Sequence, residues 1–200
     1  ATEALRKALE HKGIGYQINE GDGAFYGPKI DLKLKDALGR KWQCSTVQCD
    51  FALPERFDLT FINEQGQAER PIMLHRALFG SVERFFGTLI EHHAGNFPLW
   101  LSPEQVRIIP IKSEHESFAR EVSDELLAQG LRVSVDARNE SLGKRIREAR
   151  LQRLPYMLVI GDKEVAAKTV AVRKRPETDL SAMTVGQFAG MARKEIVDKV

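Results

Sequence analysis

The chain has 200 residues, 42% hydrophobic and 29% charged, with a formal net charge of +2, enough for one large or two small soluble domains with proper cores. No apolar run approaches the roughly 20 residues that span a bilayer, and the first residues lack a signal-peptide core, so a cytoplasmic protein is expected. The charge is too small to announce a bulk nucleic-acid binder, but it is uneven: residues 1–101 carry 12 basic and 13 acidic side chains, residues 102–200 carry 18 and 15. Cys44 and Cys49 form neither a CxxC pair nor a plausible disulfide, which suits a reducing compartment. The chain opens on alanine within a helical pattern, so a piece of a longer polypeptide, or one processed at its N-terminus, is expected.

Taken in order, residues 2–12 read as a helix stopped by Gly13 and Gly15. Residues 16–18 can form a short strand, and residues 20–29, EGDGAFYGPK, form a glycine-rich loop. Ile30, Leu32 and Leu34 alternate with Asp31, Lys33 and Lys35, the pattern of a half-buried antiparallel strand, and residues 41–51 return as its hairpin partner. Phe57, Leu59 and Phe61 mark a third strand, and residues 70–74 a fourth. Then Leu78, Val82, Phe85, Phe86, Leu89 and Ile90 fall at helical spacing, which predicts a helix buried on that side. Two prolines in residues 97–103 mark a domain junction, placed at 101/102. Beyond it strands at 106–111, 131–135, 156–160 and 169–172 alternate with helices near 117–129, 142–153 and 185–197, predicting a parallel or mixed sheet covered by helices. Gly130 caps the first of these helices and Ser181 or Thr184 the last. The fold class is α/β, with an α+β first half.

Five groups of residues could carry chemistry. The loop at 21–29 offers Tyr26 and Lys29 to a small polar ligand, or is an ordinary loop with an aromatic anchor. In WQCSTVQCDF, Cys44, Thr46 and Gln48 share one strand face and could floor a pocket, or face solvent at an edge. Gln43 has the opposite parity and joins them only if the strand bulges or ends. His75 alone reads more readily as a hydrogen-bonder than as a metal ligand, since zinc needs at least three protein ligands. Near the first turns of the amphipathic helix, Arg84 beside Gly80 and Ser81 suits a phosphate or carboxylate, or is solvated. Finally, residues 138–153 hold six basic and two acidic side chains. Leu142, Ile146 and Ala149 pack, while Lys144, Arg147 and Arg150 form an outward stripe that suits single-stranded RNA or is simply a solvated face, with Glu140 and Glu148 weakening it.

The segments AFYGPKI, WQCSTVQCDF, HRALFGSVERFFG, FPLWLSPEQV and DARNESLGKRIREARLQRLPYMLVIGDKE, in that order, resemble the threonyl-tRNA synthetases, which are class II aminoacyl-tRNA synthetases. The resemblance covers nearly the whole chain. It implies that residues 1–101 are the C-terminal part of the antiparallel-sheet catalytic domain, including the third class motif. Residues 102–200 would be a three-layer α/β anticodon-binding domain. It implies ATP contacts from Gln43, Thr46, Ser81 and Arg84, with Gln43 and Arg84 catalytic, and threonine contacts from Tyr26, Lys29, Cys44 and Gln48. It places His75 at a zinc-ligand position and Asn139, Arg147, Arg153, Glu164 and Arg173 at positions that read the anticodon. The parent would be a cytoplasmic homodimeric threonine-tRNA ligase that uses ATP with Mg²⁺ and one Zn²⁺ per subunit. Zinc would hold the amino and hydroxyl groups of threonine and so reject valine. The other two zinc ligands and the first two class motifs lie upstream in the family and have no counterpart here, so the 200 residues alone are expected not to aminoacylate. Ser45 stands where the family pattern has glycine, which would narrow the pocket floor, and Ser141 where a lysine is common. A stand-alone tRNA-binding or regulatory protein derived from a synthetase is the alternative.

Overall fold

The computed structural model describes residues 1–176 and 178–200. They form two compact units, Ala1–His92 and His93–Val200.

In the first unit, helix α1 (Thr2–His11) precedes a hairpin of β1 (Lys29–Lys35) and β2 (Lys41–Asp50). Its turn is held by Asp36, whose Oδ1 accepts the backbone N–H groups of Leu38 (2.9 Å) and Arg40 (2.8 Å). Residues 16–18 form no strand; the Tyr16 hydroxyl instead donates to Glu10 at 3.0 Å, and among the described residues no strand pairs with this segment.

The expected third strand is also corrected. The Asp50 carboxylate accepts Ala52 N (2.9 Å) and Leu53 N (3.0 Å), and these orphan donors start α2 (Ala52–Arg56) directly ahead of it. Phe57 and Leu59 are exposed, and only a small hairpin of β3 (Phe61–Ile62) and β4 (Ala68–Glu69) follows. The fourth strand moves downstream to β5 (Met73–Ala77), where it pairs antiparallel with Thr46–Asp50 of β2; Pro71 has no N–H to give such a ladder.

Helix α3 (Val82–His93) follows, but none of its residues is buried, and Val82 and Phe86 are 66% and 53% exposed. The expectation of a buried side therefore fails within this chain: the three-stranded sheet β1–β2–β5 is too narrow to cover the stripe. In the whole first unit the buried residues are Cys44, Cys49, Asp50 and Pro54.

The second unit is a helix–sheet–helix sandwich. Its elements are β6 (Val106–Pro110), α4 (Glu116–Ala128), β7 (Val133–Val135), α5 (Leu142–Leu151), β8 (Tyr156–Ile160), α6 (Asp162–Ala167), β9 (Thr169–Lys174), β10 (Thr178–Asp179), β11 (Met183–Thr184) and α7 (Val185–Asp198). The sheet order is β10–β9–β8–β6–β7, with β11 beside β9. β6 runs parallel to β7 and β8, while β9 is antiparallel to β8, the mixed sheet expected.

Alternate residues of β6 and β8 feed two cores. Val106, Ile108, Leu158 and Ile160 pack with Phe118, Val122 and Leu126 of α4 and Phe188 and Ala192 of α7. Ile109, Met157 and Val159 pack with Ile146 and Ala149 of α5 on the other face. Gly130 ends α4 at φ +83° with Leu131 N bonded to Leu126 O at 3.1 Å, and Thr184 rather than Ser181 starts α7, its hydroxyl accepting Gln187 N at 3.3 Å. The proline-bearing segment packs within this unit: Gln105 Nε2 donates to Leu99 O at 2.8 Å, and Arg132 Nε to Ser102 O at 2.9 Å.

Candidate functional sites

A polar sheet face in the first unit is built by pairing. Lys29 lies opposite Gln48 and Gln48 opposite His75; Asp31 lies opposite Thr46 and Thr46 opposite Ala77. The register slips between Leu32 and Lys33, which pair with Ser45 and Gln43, so Cys44 is one extra residue in β2. That bulge reverses the parity of Gln43 and brings it onto this face, where its amide donates to Asp31 at 2.8 Å. Cys44 is buried as the inserted residue and loses strict alternation with Thr46 and Gln48. Ser45 faces the other way and donates to Ala77 O at 2.8 Å, so it does not narrow the pocket floor.

The loop carrying Tyr26 reaches this face because Gly27 allows it: a Cβ there would lie 2.1 Å from Cys49 O. Cys49 N donates to Pro28 O and Phe51 N to Tyr26 O, extending the ladder. The Tyr26 hydroxyl donates to Gln48 Oε1, and the ring lies 6.0 Å from that of His75. Together with Phe25, Asp50, Ala52, Leu53 and Arg56 they line a cleft of ≈ 280 Å³, near the lower end of the roughly 300–1,000 Å³ of small-molecule sites. Lys29 is paired with Asp31 at 2.9 Å, and this hydrogen bond holds its ammonium above the usual lysine range. Thr46 Oγ1 is buried with no hydrogen-bond partner among the described residues.

Asp50 and Asp31 are site residues the sequence reading passed over, although Asp50 continues the alternation of Thr46 and Gln48. Burial pushes the Asp50 carboxyl up, but the Leu53 N–H, His75 and the Ala52 N–H together hold it below the usual range. Asp50 Oδ2 lies 2.8 Å from His75 Nε2. A carboxylate only accepts, so Nε2 donates; in the neutral imidazole this leaves the lone pair on Nδ1, the orientation in which a histidine ligates a metal with a carboxylate behind it. His75 thus fits one zinc position and no more, because among the described residues no three-ligand group includes it.

The group that does have metal spacing is Glu114, His115 and Asp162 in the second unit. There His115 Nδ1 accepts Lys112 N (3.2 Å) while Nε2 lies 2.9 Å from Asp162, and the Lys112 ammonium sits 3.0 Å from Glu114 and 3.4 Å from Asp162. Both imidazole nitrogens and both carboxylates are committed, and the cation present is lysine.

Arg84 is exposed, with its guanidinium 5.7 Å from the centre of the Trp42 ring. It is next to the strand end that carries Gln43 but not among the cleft residues. Ser81 starts α3, its hydroxyl accepting Arg84 N at 3.3 Å. Gly80 brings this turn against β2: at φ +69°, a Cβ would lie 2.9 Å from Cys44 O and 3.3 Å from Gln43 O.

In the second unit Asn139 is exposed in the bend after β7, Arg147 is exposed midway along α5, and Arg153 follows its end, where its guanidinium donates to Ala94 O. Helix α5 separates Asn139 from Arg153 by about 15 Å, at 1.5 Å per residue. Arg173, paired with Asp179 at 3.2 Å, shares with Ala171 the parity of the sheet face that α5 covers. Glu164 caps α6 by accepting Gly161 N at 2.9 Å. Lys144 is spent on Glu140 at 2.6 Å, whereas Arg147 has no ion-pair partner among the described residues.

The family model "Anticodon binding domain" matches residues 105–195, and that of the "tRNA synthetase class II core domain (G, H, P, S and T)" matches residues 2–93. The threonine-tRNA ligases of Oleidesulfovibrio alaskensis and Acetivibrio thermocellus are 56% and 55% identical over 98% and 100% of this chain, which spans 30% and 31% of their lengths. A crystal structure of the RNA binding domain of threonyl-tRNA synthetase from Cryptosporidium parvum matches with a TM-score of 0.84 at 41% identity, over 98% of this chain and 49% of that one. Prolyl-tRNA synthetase of the same organism matches with a TM-score of 0.67 over 90% of this chain and 41% of that one, but at 21% identity this shows the fold alone. With whole-chain homology and both halves matched in order, the chain belongs to the threonyl-tRNA synthetase family of class II aminoacyl-tRNA synthetases and corresponds to a C-terminal portion of those ligases.

Proposed function

We propose that this chain supplies the anticodon-reading end and part of the amino-acid and ATP site of a cytoplasmic, homodimeric threonine-tRNA ligase, divided functionally at 101/102. In the ligase, the threonine carboxylate attacks the α-phosphate of ATP, releasing pyrophosphate, and the threonyl group then passes from the adenylate to the tRNA 3′ end. Such chemistry rests on positioning and charge stabilisation. Gln43, Thr46, Ser81 and Arg84 would hold ATP with its Mg²⁺. Tyr26, Lys29, Cys44 and Gln48 would border threonine, with Lys29 acting through its pair with Asp31. A zinc ion bound by His75 and two ligands from outside this chain would coordinate the amino and hydroxyl groups of threonine, and Asp50 would keep His75 Nδ1 available to it.

The observation that carries the tRNA half is Arg147: an exposed arginine without an ion-pair partner among the described residues, on the α5 face, within the segment that matches anticodon-binding domains. Asn139, Arg153, Glu164 and Arg173 would complete the contact. We expect the 200-residue chain to bind the anticodon stem-loop of the threonine tRNA. Arg147→Ala should weaken binding and lower the salt slope by about one unit, as loss of one phosphate contact does. The same chain should support no threonine-dependent exchange of pyrophosphate into ATP. Equal affinity and slope for the two proteins would leave the basic stripe a solvated face, and robust exchange would overturn the incomplete-site reading.

A further inference from the structure

Arg145, on α5, is 4% exposed, yet among the described residues it faces no carboxylate in a hydrogen bond. Its Nη1 donates to Pro110 O and Asp136 O, both at 2.8 Å, and its Nη2 to Ile111 O at 3.3 Å. Nε is buried without a partner among the described residues. Pro110 ends β6 and Asp136 directly follows β7, its N–H bonded to Ile108 O at 2.8 Å. The guanidinium therefore plugs the gap at the carboxyl ends of two parallel strands, where the chain leaves β6 for α4 on one face and β7 for α5 on the other. Here the protein fills that gap with its own cation.

A buried guanidinium is costly unless its donors are used, and strand-end carbonyls without partners are costly as well. Each offsets the other, and the outcome is mechanical. Asp136 is held by its carbonyl through Arg145 and by its carboxylate through Arg138, which bonds it at 2.8 and 2.7 Å and reaches Glu148 at 2.8 Å. Ser141 then caps α5 through Lys144 N at 3.3 Å. Residues 137–140 are thus suspended between two fixed points, with Asn139 exposed at the bend.

We propose that Arg145 is a positioning residue for RNA recognition: without touching RNA, its three carbonyl bonds set the strand ends from which the Asn139 loop is hung. This rests on the anticodon reading above.

The test uses the full 200-residue chain with Arg145→Lys, which keeps the charge but not the planar fork, Arg145→Met as the stringent variant, and Asn139→Ala in wild-type and Arg145→Lys backgrounds. Affinity for the anticodon stem-loop is measured against salt, well below each variant's melting temperature. Arg145→Lys should weaken binding about tenfold, the equivalent of one charge-assisted hydrogen bond. The salt slope should not change, and amide exchange at residues 137–140 should rise. Asn139→Ala should cost less in the Arg145→Lys background than in wild type, because the loop is already misplaced. A role in stability alone would leave the two effects additive. Additivity, an unchanged affinity of Arg145→Lys, or a reduced slope would each overturn the proposal; should Arg145→Met fail to fold, Arg145→Lys decides. Failure of the wild-type chain to bind the stem-loop would remove the anticodon reading and this inference with it, whereas wild-type binding with an inert Arg145→Lys removes only the inference.

Discussion

Carboxylates that the alternation of the strands marks only as polar do much of the local organising in the first unit. Asp31 joins Lys29 to Gln43, Asp50 orients His75 and starts α2, and Asp36 closes the hairpin. Asp36 is the clearest electrostatic case. The Trp42 indole N–H holds its carboxyl down to about 2, with burial opposing and Arg40 and Leu38 adding to the effect. A carboxyl whose folded value is depressed stabilises the fold above its ordinary value and loses that contribution as pH falls toward the folded value. Asp36→Asn should therefore melt lower than wild type above pH 3.8, and the gap should close toward about pH 2. A gap constant across that range would show that the charge of Asp36 is not its cause.

At the scale of elements, the β2 bulge and the Gly80 turn assemble what spacing alone left apart. The motif WQC assigns Gln43 and Thr46 opposite parities, and only an extra residue in the register reconciles them, a feature that depends on the partner strand. Gly80 lets the start of α3 lie against the Gln43–Cys44 backbone. Gly80→Ala faces both the left-handed backbone and the 2.9 Å contact with Cys44 O. We expect it to cost more than about 1 kcal/mol in the urea transition of the first unit, with an unchanged transition for the second. A first-unit midpoint equal to wild type would mean that the turn is not tightly held.

At the scale of the molecule, the two units differ in what they bury. The second has two cores on opposite faces of one sheet, while the first buries four residues and leaves Phe25, Phe57, Ile62, Leu74 and Val82 at least 65% exposed. The chain spans about a third of the length of its curated relatives, and the apolar face of α3 is the kind of surface that further chain or a partner covers. Low burial predicts low local stability. Limited proteolysis should cut first within residues 1–92 and leave a resistant fragment close to 93–200, read by mass spectrometry. Preferential loss of the second unit would contradict this.

What could be read from residue order alone was whatever depends on neighbours a few positions apart: the hairpin alternation of β1 and β2, the β–α rhythm after residue 105, the Gly130 and Thr184 caps, and ordered motifs long enough to mark a family. Local spacing could not see partners distant in sequence. The Asp50 carboxylate started a short helix just ahead of the alternating Phe57, Leu59 and Phe61, the partner strand moved β5 downstream and brought Gln43 onto the polar face, and a narrow sheet left an amphipathic helix uncovered. Arg145 is the sharpest instance. In sequence it belongs to a basic run whose other members point outward, and it is withdrawn into the fold because three carbonyls, two from the end of β6 and one from the residue after β7, converge where its side chain can reach.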